Sequence, residues 1–479
     1  MNCKPEQGTR QKTDVDAESE LGDFIQLPHA MTTRRRFLKT TTIGGIAVIG
    51  GVKSTTTSQA EEDQILWSYE TLNDVQSSPS IAEGTVFVGS DDDNVYALDA
   101  ETGEEQWWFE TVGEVRSSPA VASGKVFVGT RGRPVGKVYA LDAETGDEEW
   151  SFRAEANVTS SPTVVDGTVY VGSIDDRLYA LDADTGDEQW RFEARHNIRS
   201  SPTVVDGTVI FGSSDNNVYA VDAESGDERW QFSTGDGVSS SPTVADGTVF
   251  VGSGDGYLYA LNVDSGDEEW SFDTGGTVSS SPTVAEGLVF IGGRNGEVFA
   301  VDPETGDEEW HFDTGDWVYS SPTVADGSVF VESGGYVYTL DATSGEEQSR
   351  IDIEDHSGSM SSPIVVDGRI FIGDEAGKVY ALDAGVEGSS TCSRVELGTL
   401  GQYVDEFEGL SGDDSDGESG DESEDDPGDD SDGEPGDDSG DEPSDDVDEE
   451  SADGLPGFGV STALGGLGGI IYILKRRLG

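Results

Sequence analysis

A Ser-Ser-Pro tripeptide returns eight times along this chain, its prolines standing at Pro79, Pro119, Pro162, Pro202, Pro242, Pro282, Pro322 and Pro363, about 40 residues apart. No other feature limits the possible folds so tightly. Each proline is followed by a Val-rich run, an Asp-Gly or similar pair, an alternating run such as that from Thr168 to Gly172, and an Asp/Asn-rich turn. A second alternating run, a Thr-Gly or Ser-Gly turn and a closing run with a Trp complete the unit. Period-two alternation bounded by turn residues predicts four short β-strands, here A to D in chain order. Four strands in a period near 40 predict radial repetition: an all-β chain folded as an eight-bladed β-propeller of four-stranded antiparallel blades. The proline suits strand A as the innermost strand, because a missing N–H is tolerated at a sheet edge.

Counting the tryptophans predicts how the ring closes. Trp67 precedes the first Ser-Ser-Pro, whereas the unit that begins at Pro363 ends at Tyr380-Ala381-Leu382-Asp383 with no Trp after it. The strand from Ile65 to Glu70 is therefore expected to complete the last blade and leave no long edge open. The seventh unit has Ser349 in the Trp position, and its junction with the eighth blade is expected to be the loosest.

The segment Ala97-Leu98-Asp99-Ala100-Glu101-Thr102-Gly103-Glu104-Glu105-Gln106-Trp107 resembles the tryptophan-docking repeat of PQQ-like propellers, the fold of quinoprotein dehydrogenases and of BamB-type scaffolds. The resemblance implies that Trp67, Trp107, Trp150, Trp190, Trp230, Trp270 and Trp310 wedge neighbouring blades together, each burying roughly 150 to 250 Å². Structural packing is the reading favoured for them over a ligand cage. The Lys that usually follows Thr-Gly in that family is acidic in every copy here.

That departure belongs to a wider charge bias. The chain of 479 residues has a formal net charge of −71, and the tract 411–453 contains no Lys or Arg. Such a tract cannot bury a core and reads as an extended, solvated stalk. Between Leu66 and Tyr380 the only lysines are Lys125, Lys137 and Lys378. A surface this acidic resembles that of haloarchaeal proteins, and one-sign repulsion predicts stability only in screening, molar salt. It also argues against nucleic acid as a partner.

Both ends carry addresses. Thr33-Arg34-Arg35-Arg36-Phe37-Leu38-Lys39 matches the twin-arginine export pattern, with Arg34 and Arg35 as its core. A short apolar run to Val52 and a small-residue cleavage site at Ser58 and Ala60 follow, which makes the twin-arginine translocase an expected partner. The signal begins near Met31, so the residues before it are either a long n-region or the product of a misplaced start codon. At the other end Pro456-Gly457-Phe458, an apolar stretch and Lys475-Arg476-Arg477 resemble the PGF-CTERM sorting signal of archaeal surface proteins. The resemblance implies an archaeosortase as partner and a lipid-linked mature end; a permanent membrane helix is the alternative, at the lower limit of spanning length. Four regions result: the signal at 1–60, the propeller at 61–395, the acidic stalk at 396–455 and the sorting tail at 456–479. The expected location is outside the cell, anchored to an archaeal membrane or surface layer. Asn157-Val158-Thr159 is a glycosylation sequon. Cys3 precedes the cleavage site, so Cys392 would be alone in the mature chain, with no intramolecular disulfide and no thiolate metal cluster.

Where the repeats disagree, residues are free to specialise. The position three before each proline reads Gln76, Arg116, Thr159, Arg199, Ser239, Ser279, Tyr319 and Met360. In a propeller the loop entering strand A shares a face with the B–C turn, so these side chains are expected around the mouth of the central channel. The scarce basic residues gather in adjacent blades: Arg116, Arg131, Arg133, Lys137, Arg153, Arg177, Arg195, His196 and Arg199. One reading is that they balance local carboxylates. The other is an anion site at the mouth, built from Gln76, Arg116, Arg131, Arg133 and Arg199 with Trp317, Tyr319 and His196 stacking at its rim.

Two functions follow. One is a non-catalytic binding or assembly scaffold at the cell surface, its partner a cell-envelope protein or glycan and its ligand anionic. The other, implied by the resemblance, is a quinoprotein dehydrogenase acting on alcohols or sugars with pyrroloquinoline quinone and calcium. The second needs a carboxylate base and oxygen ligands for calcium, and the sequence assigns no catalytic residue or metal ligand. The carboxylates at Asp91-Asp92-Asp93, Asp175-Asp176 and Asp215 stand where B–C turns need Asp or Asn. The scaffold reading is the stronger because the blades are lean and carry almost no insertions from which a pocket could be built.

Overall fold

The computed structural model describes residues 64–132, 134–353 and 360–390, together with the backbone of 403–404. Eight four-stranded antiparallel blades account for nearly all of them, the fifth joined by a short parallel strand at Tyr403–Val404, and no helix occurs among them. The first blade shows the plan, with strands at Ser80–Ala82, Thr85–Gly89, Asn94–Asp99 and Glu105–Glu110 joined in that order. The eighth consists of Ile364–Val366, Arg369–Gly373 and Lys378–Asp383, with the N-terminal strand Ile65–Glu70 as its fourth member. The ring is closed as the count of tryptophans predicts. Trp67 pairs with Ala381 and Glu70 with Lys378 across this seam.

Local chemistry makes each blade. Both central residues of every A–B hairpin have positive φ, as at Asp166 (49°) and Gly167 (78°). That is the type I′ geometry whose twist suits a two-residue hairpin, and it explains the recurring Asp-Gly. At the C–D turn the Asp99 carboxylate accepts hydrogen bonds from the Glu101 and Thr102 amides and from the Thr102 hydroxyl. A register shift in strand D then puts Trp107 opposite Ala97 but Glu105 opposite Leu98. This bulge turns the indole toward the next blade.

The apolar core is divided into eight clusters, one at each blade junction. The seven repeating tryptophans do dock between blades. The indole N–H of Trp150, for example, donates to the Ala183 carbonyl of the next blade at 3.1 Å. A methyl group added at Gly186 would lie 2.6 Å from the same ring, so the glycine of Thr-Gly gives the indole its seat. At the junction of the seventh and eighth blades Ser349 is exposed, and Ile65 and Val386 pack against a cluster that contains no indole.

Ser-Ser-Pro does more than place a proline at the sheet edge. The first serine bonds within its blade, Ser77 to the Gly89 backbone at 2.8 Å. The second links blades: each amide donates to the hydroxyl of its counterpart in the next blade, at 2.9–3.0 Å. The step from Ser362 to Ser78 makes this circle of eight bonds complete. Buried, fully paired and repeated, it holds the innermost strands in register around the channel.

Candidate functional site

The loops entering strand A and the B–C turns share one face, the mouth, as the hydrogen bond from Asp91 N–H to Asp74 C=O shows. The residue four before each proline packs on the preceding blade, with Val115 against Gly89 and Val318 against Gly292. The two serines are fixed by the bonds just described. The side chain three before the proline is thus directed at the preceding blade's B–C turn, and two such pairs are explicit. Arg116 reaches Asp91, with its Nε 3.0 Å from Oδ1 and an Nη 2.8 Å from Oδ2. Tyr319 lies beside Arg294, whose guanidinium is 5.4 Å from the phenol ring centre.

The mouth therefore has two unlike sectors. Where the eighth, first and second blades meet it is acidic. Burial pushes the Asp91 carboxyl up to about 6 against the pull of Arg116, and burial likewise raises Asp374 and Glu375. The charges of Asp74 and Asp91 raise Glu375 further, while Arg116 eases it. Gln76 is buried among these groups, and its Oε1 has no hydrogen-bond partner.

The second sector is cationic and aromatic. Arg294 stacks 4.8 Å from the ring centre of Trp317, which is 53 % exposed. Trp317 meets Tyr319 edge to face with centroids 5.8 Å apart. Described ion pairs take up Arg116, Arg131, Arg177, Arg191, Arg229 and Arg350 and leave out Arg294.

These placements separate the expected anion-site residues. Arg116 is committed to Asp91 and Glu114, and Arg131 to the same Glu114 at 3.3 Å. The insertion bearing Arg131 forms a short ladder with Gly113–Glu114. Arg177 pairs with Glu155 at 2.6 Å. The carboxylate-balancing reading thus describes these three arginines. Thr159 and Met360 are buried with Gln76, and Arg199, Ser239 and Ser279 are partly buried. His196 is exposed, with its Nδ1 accepting from the Asn197 amide. Asn157 is partly buried in the loop before strand A of the third blade. Arg133, the export residues Arg34 and Arg35, Cys392 and the sorting signal Pro456-Gly457-Phe458 lie outside the described residues.

Arg294 is absent from the sequence-based anion site because it stands apart from the clusters of basic residues that define it. A signal existed: it precedes Tyr319 by the same interval that separates Asp91 from Arg116.

Among the described residues no three His, Cys, Asp or Glu side chains stand close enough to share a metal ion. The carboxylates suspected of catalysis serve turns: Asp92 and Asp215 accept backbone amides two residues on, and Asp93 and Asp176 occupy left-handed positions.

Arg116→Met is expected to leave a buried carboxylate unpaired and to cost about 1–3 kcal/mol near neutral pH. The folded-state pKa of Asp91 lies above the ordinary carboxylate value, so proton uptake favours the folded chain. The loss is present above the folded pKa and fades as pH falls toward the unfolded one. Urea melts should show the variant weaker at about pH 7.5 and nearly equal to the parent at about pH 5; a pH-independent difference would refute the pairing.

Similarity to known proteins agrees with this geometry. The family described as the β-propeller of the beta-alanine-activating enzyme matches residues 132–397, more than half of the chain. The chain belongs to that β-propeller family. A second family, the outer membrane protein assembly factor BamB, matches residues 52–135. Among solved structures, BamB from Moraxella catarrhalis is 18 % identical with a TM-score of 0.59, covering 67 % of this chain and 99 % of its own. Sqt1 from Saccharomyces cerevisiae is 14 % identical with a TM-score of 0.60, over 67 % and 99 % of the two chains. The quinohemoprotein alcohol dehydrogenase ADHIIG from Pseudomonas putida HK5 is 18 % identical with a TM-score of 0.55, over 68 % and 78 %. No curated protein matches the chain. An assembly factor and a dehydrogenase share the propeller, so membership of the family gives architecture and not activity.

Proposed function

We propose that this propeller is a non-catalytic binding platform at the cell surface that takes an acidic glycan at the Arg294–Trp317–Tyr319 sector of its mouth. The observation that carries this reading is a guanidinium outside every described ion pair, stacked on a half-exposed indole, in a chain otherwise crowded with carboxylates. A planar guanidinium suits a carboxylate, and an exposed indole offers a flat apolar face to a sugar ring. Stacking survives molar salt, in which bare charge attraction is screened. Export by the twin-arginine route, the acidic stalk and an archaeosortase-processed tail would present the platform outside the cell.

Full-length chain in molar salt, titrated with tetragalacturonic acid by calorimetry, is expected to bind. Arg294→Ser and Trp317→Ala should each weaken binding about tenfold or more, as expected for a residue at the centre of a contact. Arg131→Ser, which touches only the other sector, should leave it unchanged. Equal binding of the methyl-esterified sugar, or none of the acid, would overturn the reading. Alcohol-dependent dye reduction with pyrroloquinoline quinone and calcium would replace it with the dehydrogenase.

A further inference from the structure

The face opposite the mouth carries the A–B hairpins and the C–D turns, joined within each blade by bonds such as that from Ala100 N–H to the Gly84 carbonyl at 2.8 Å. Between the eighth and first blades this face opens into a cleft of about 280 Å³. That volume suits a small metabolite. The floor is apolar, made by Ile81, Val366 and Phe371, and Phe371 is backed by Trp67 with ring centroids 5.9 Å apart. The rim bears the carboxylates of Asp99, Glu101 and Asp367 and the guanidinium of Arg369. Asp367 is held in place by Ser389, whose hydroxyl accepts from the Asp367 amide at 2.7 Å.

Arg369 opens strand B of the eighth blade, and in other blades the occupant of that position is satisfied within the protein. Thr85, Thr168 and Thr248 lie 3.0–3.3 Å from Gln106, Gln189 and Glu269 of strand D. Lys125 pairs with Glu149 of its own strand D at 3.9 Å and with Asp184 in the next blade's C–D turn at 2.6 Å. Neither arrangement is repeated at the seam. The N-terminal strand puts the apolar Leu66 where Gln106 stands, and Glu101, the counterpart of Asp184, makes no described ion pair with Arg369. The one hydrogen bond described for this guanidinium is long, 3.5 Å to the Ala100 carbonyl, which already accepts from the Trp67 indole at 3.1 Å. Hydrogen bonds from Thr102, together with the charge of Arg369, hold the Asp99 carboxyl below the usual carboxylate range.

A guanidinium in this state suits a carboxylate. Three carboxylates beside it oppose a simple anion and favour a ligand that also carries an ammonium group. We propose that the cleft binds a small aliphatic α-amino acid, its carboxylate on Arg369, its ammonium among Asp99, Glu101 and Asp367, and its side chain on the Ile81–Val366–Phe371 floor. Contacts this short outlast the screening of molar salt better than long-range attraction does. The site lies on the face away from Arg294 and does not depend on what the mouth binds.

Saturation-transfer NMR on the full chain in molar salt, with free L-leucine as the probe, tests the assignment. Saturable binding with a Kd of about 1 mM or tighter is expected, as suits so small a ligand. L-Leucinamide, which lacks the carboxylate, and N-acetyl-L-leucine, which lacks the ammonium, should each bind at least about tenfold more weakly. Arg369→Thr adopts the side chain already present at Thr85, Thr168 and Thr248, so the thermal melt should be unchanged while leucine binding falls about tenfold or more. Lys125→Thr, at the equivalent but ion-paired position, should leave leucine binding unchanged. Absence of saturable leucine binding would overturn the proposal, as would equal binding of either analogue or undiminished binding by Arg369→Thr. Titration with tetragalacturonic acid reads the mouth alone, so either proposal can fail without the other.

Discussion

A chain lacking residues 65–70 is expected not to form a stable propeller. That strand pairs with Lys378–Asp383 along its whole length and supplies the fourth strand of the last blade. It also carries Trp67, whose indole N–H donates to the Ala100 carbonyl of the first blade at 3.1 Å. One deletion therefore removes a sheet ladder and a blade junction together, and it bares a row of unpaired N–H and C=O groups on strand C, a template for aggregation. The shorter chain should elute from gel filtration as aggregate and lose its cooperative thermal transition. A soluble monomer with an unchanged melt would show that the ring holds without this seam.

Trp150→Ala is expected to cost about 3–5 kcal/mol. The ring fills the space between the third blade's Gly186 and Phe127 of its own blade, whose centroid is 5.9 Å away. Truncation opens a cavity there and leaves the Ala183 carbonyl without its indole partner. Trp108 provides the control. It stands next to the docking Trp107 in strand D, but faces solvent at 54 % exposure. Trp108→Ala should change stability by less than about 0.5 kcal/mol. Denaturant titrations in molar salt measure both, and equal effects would mean that the docking geometry does not carry the stability assigned to it.

The architecture was legible because every blade must solve the same problem, so noise in one copy is corrected by the others. Asp-Gly marks a hairpin that needs positive φ twice, and the seven tryptophans mark seven junctions. The spare Trp67 marks the seam. Ser-Ser-Pro was equally visible as a pattern but opaque as chemistry, since nothing in the repeat shows that its second hydroxyl accepts from the preceding blade's backbone amide. The site was less legible for a related reason. Nothing local in the sequence tells that Arg116 lies within 3 Å of a buried Asp91 carboxylate while Arg294 stacks on Trp317 and Tyr319.

The sequence by itself determined the four strands of each blade, the number of blades, the order in which those strands pair and the strand that closes the ring. Each of those follows from interactions that recur at fixed spacing within or between identical units. Only the tertiary structure decided which arginines are already neutralised and which edge of each inner strand is open. Those depend on single side chains meeting across blades and on backbone groups turned toward the channel, and neither repeats often enough to leave a period in the sequence.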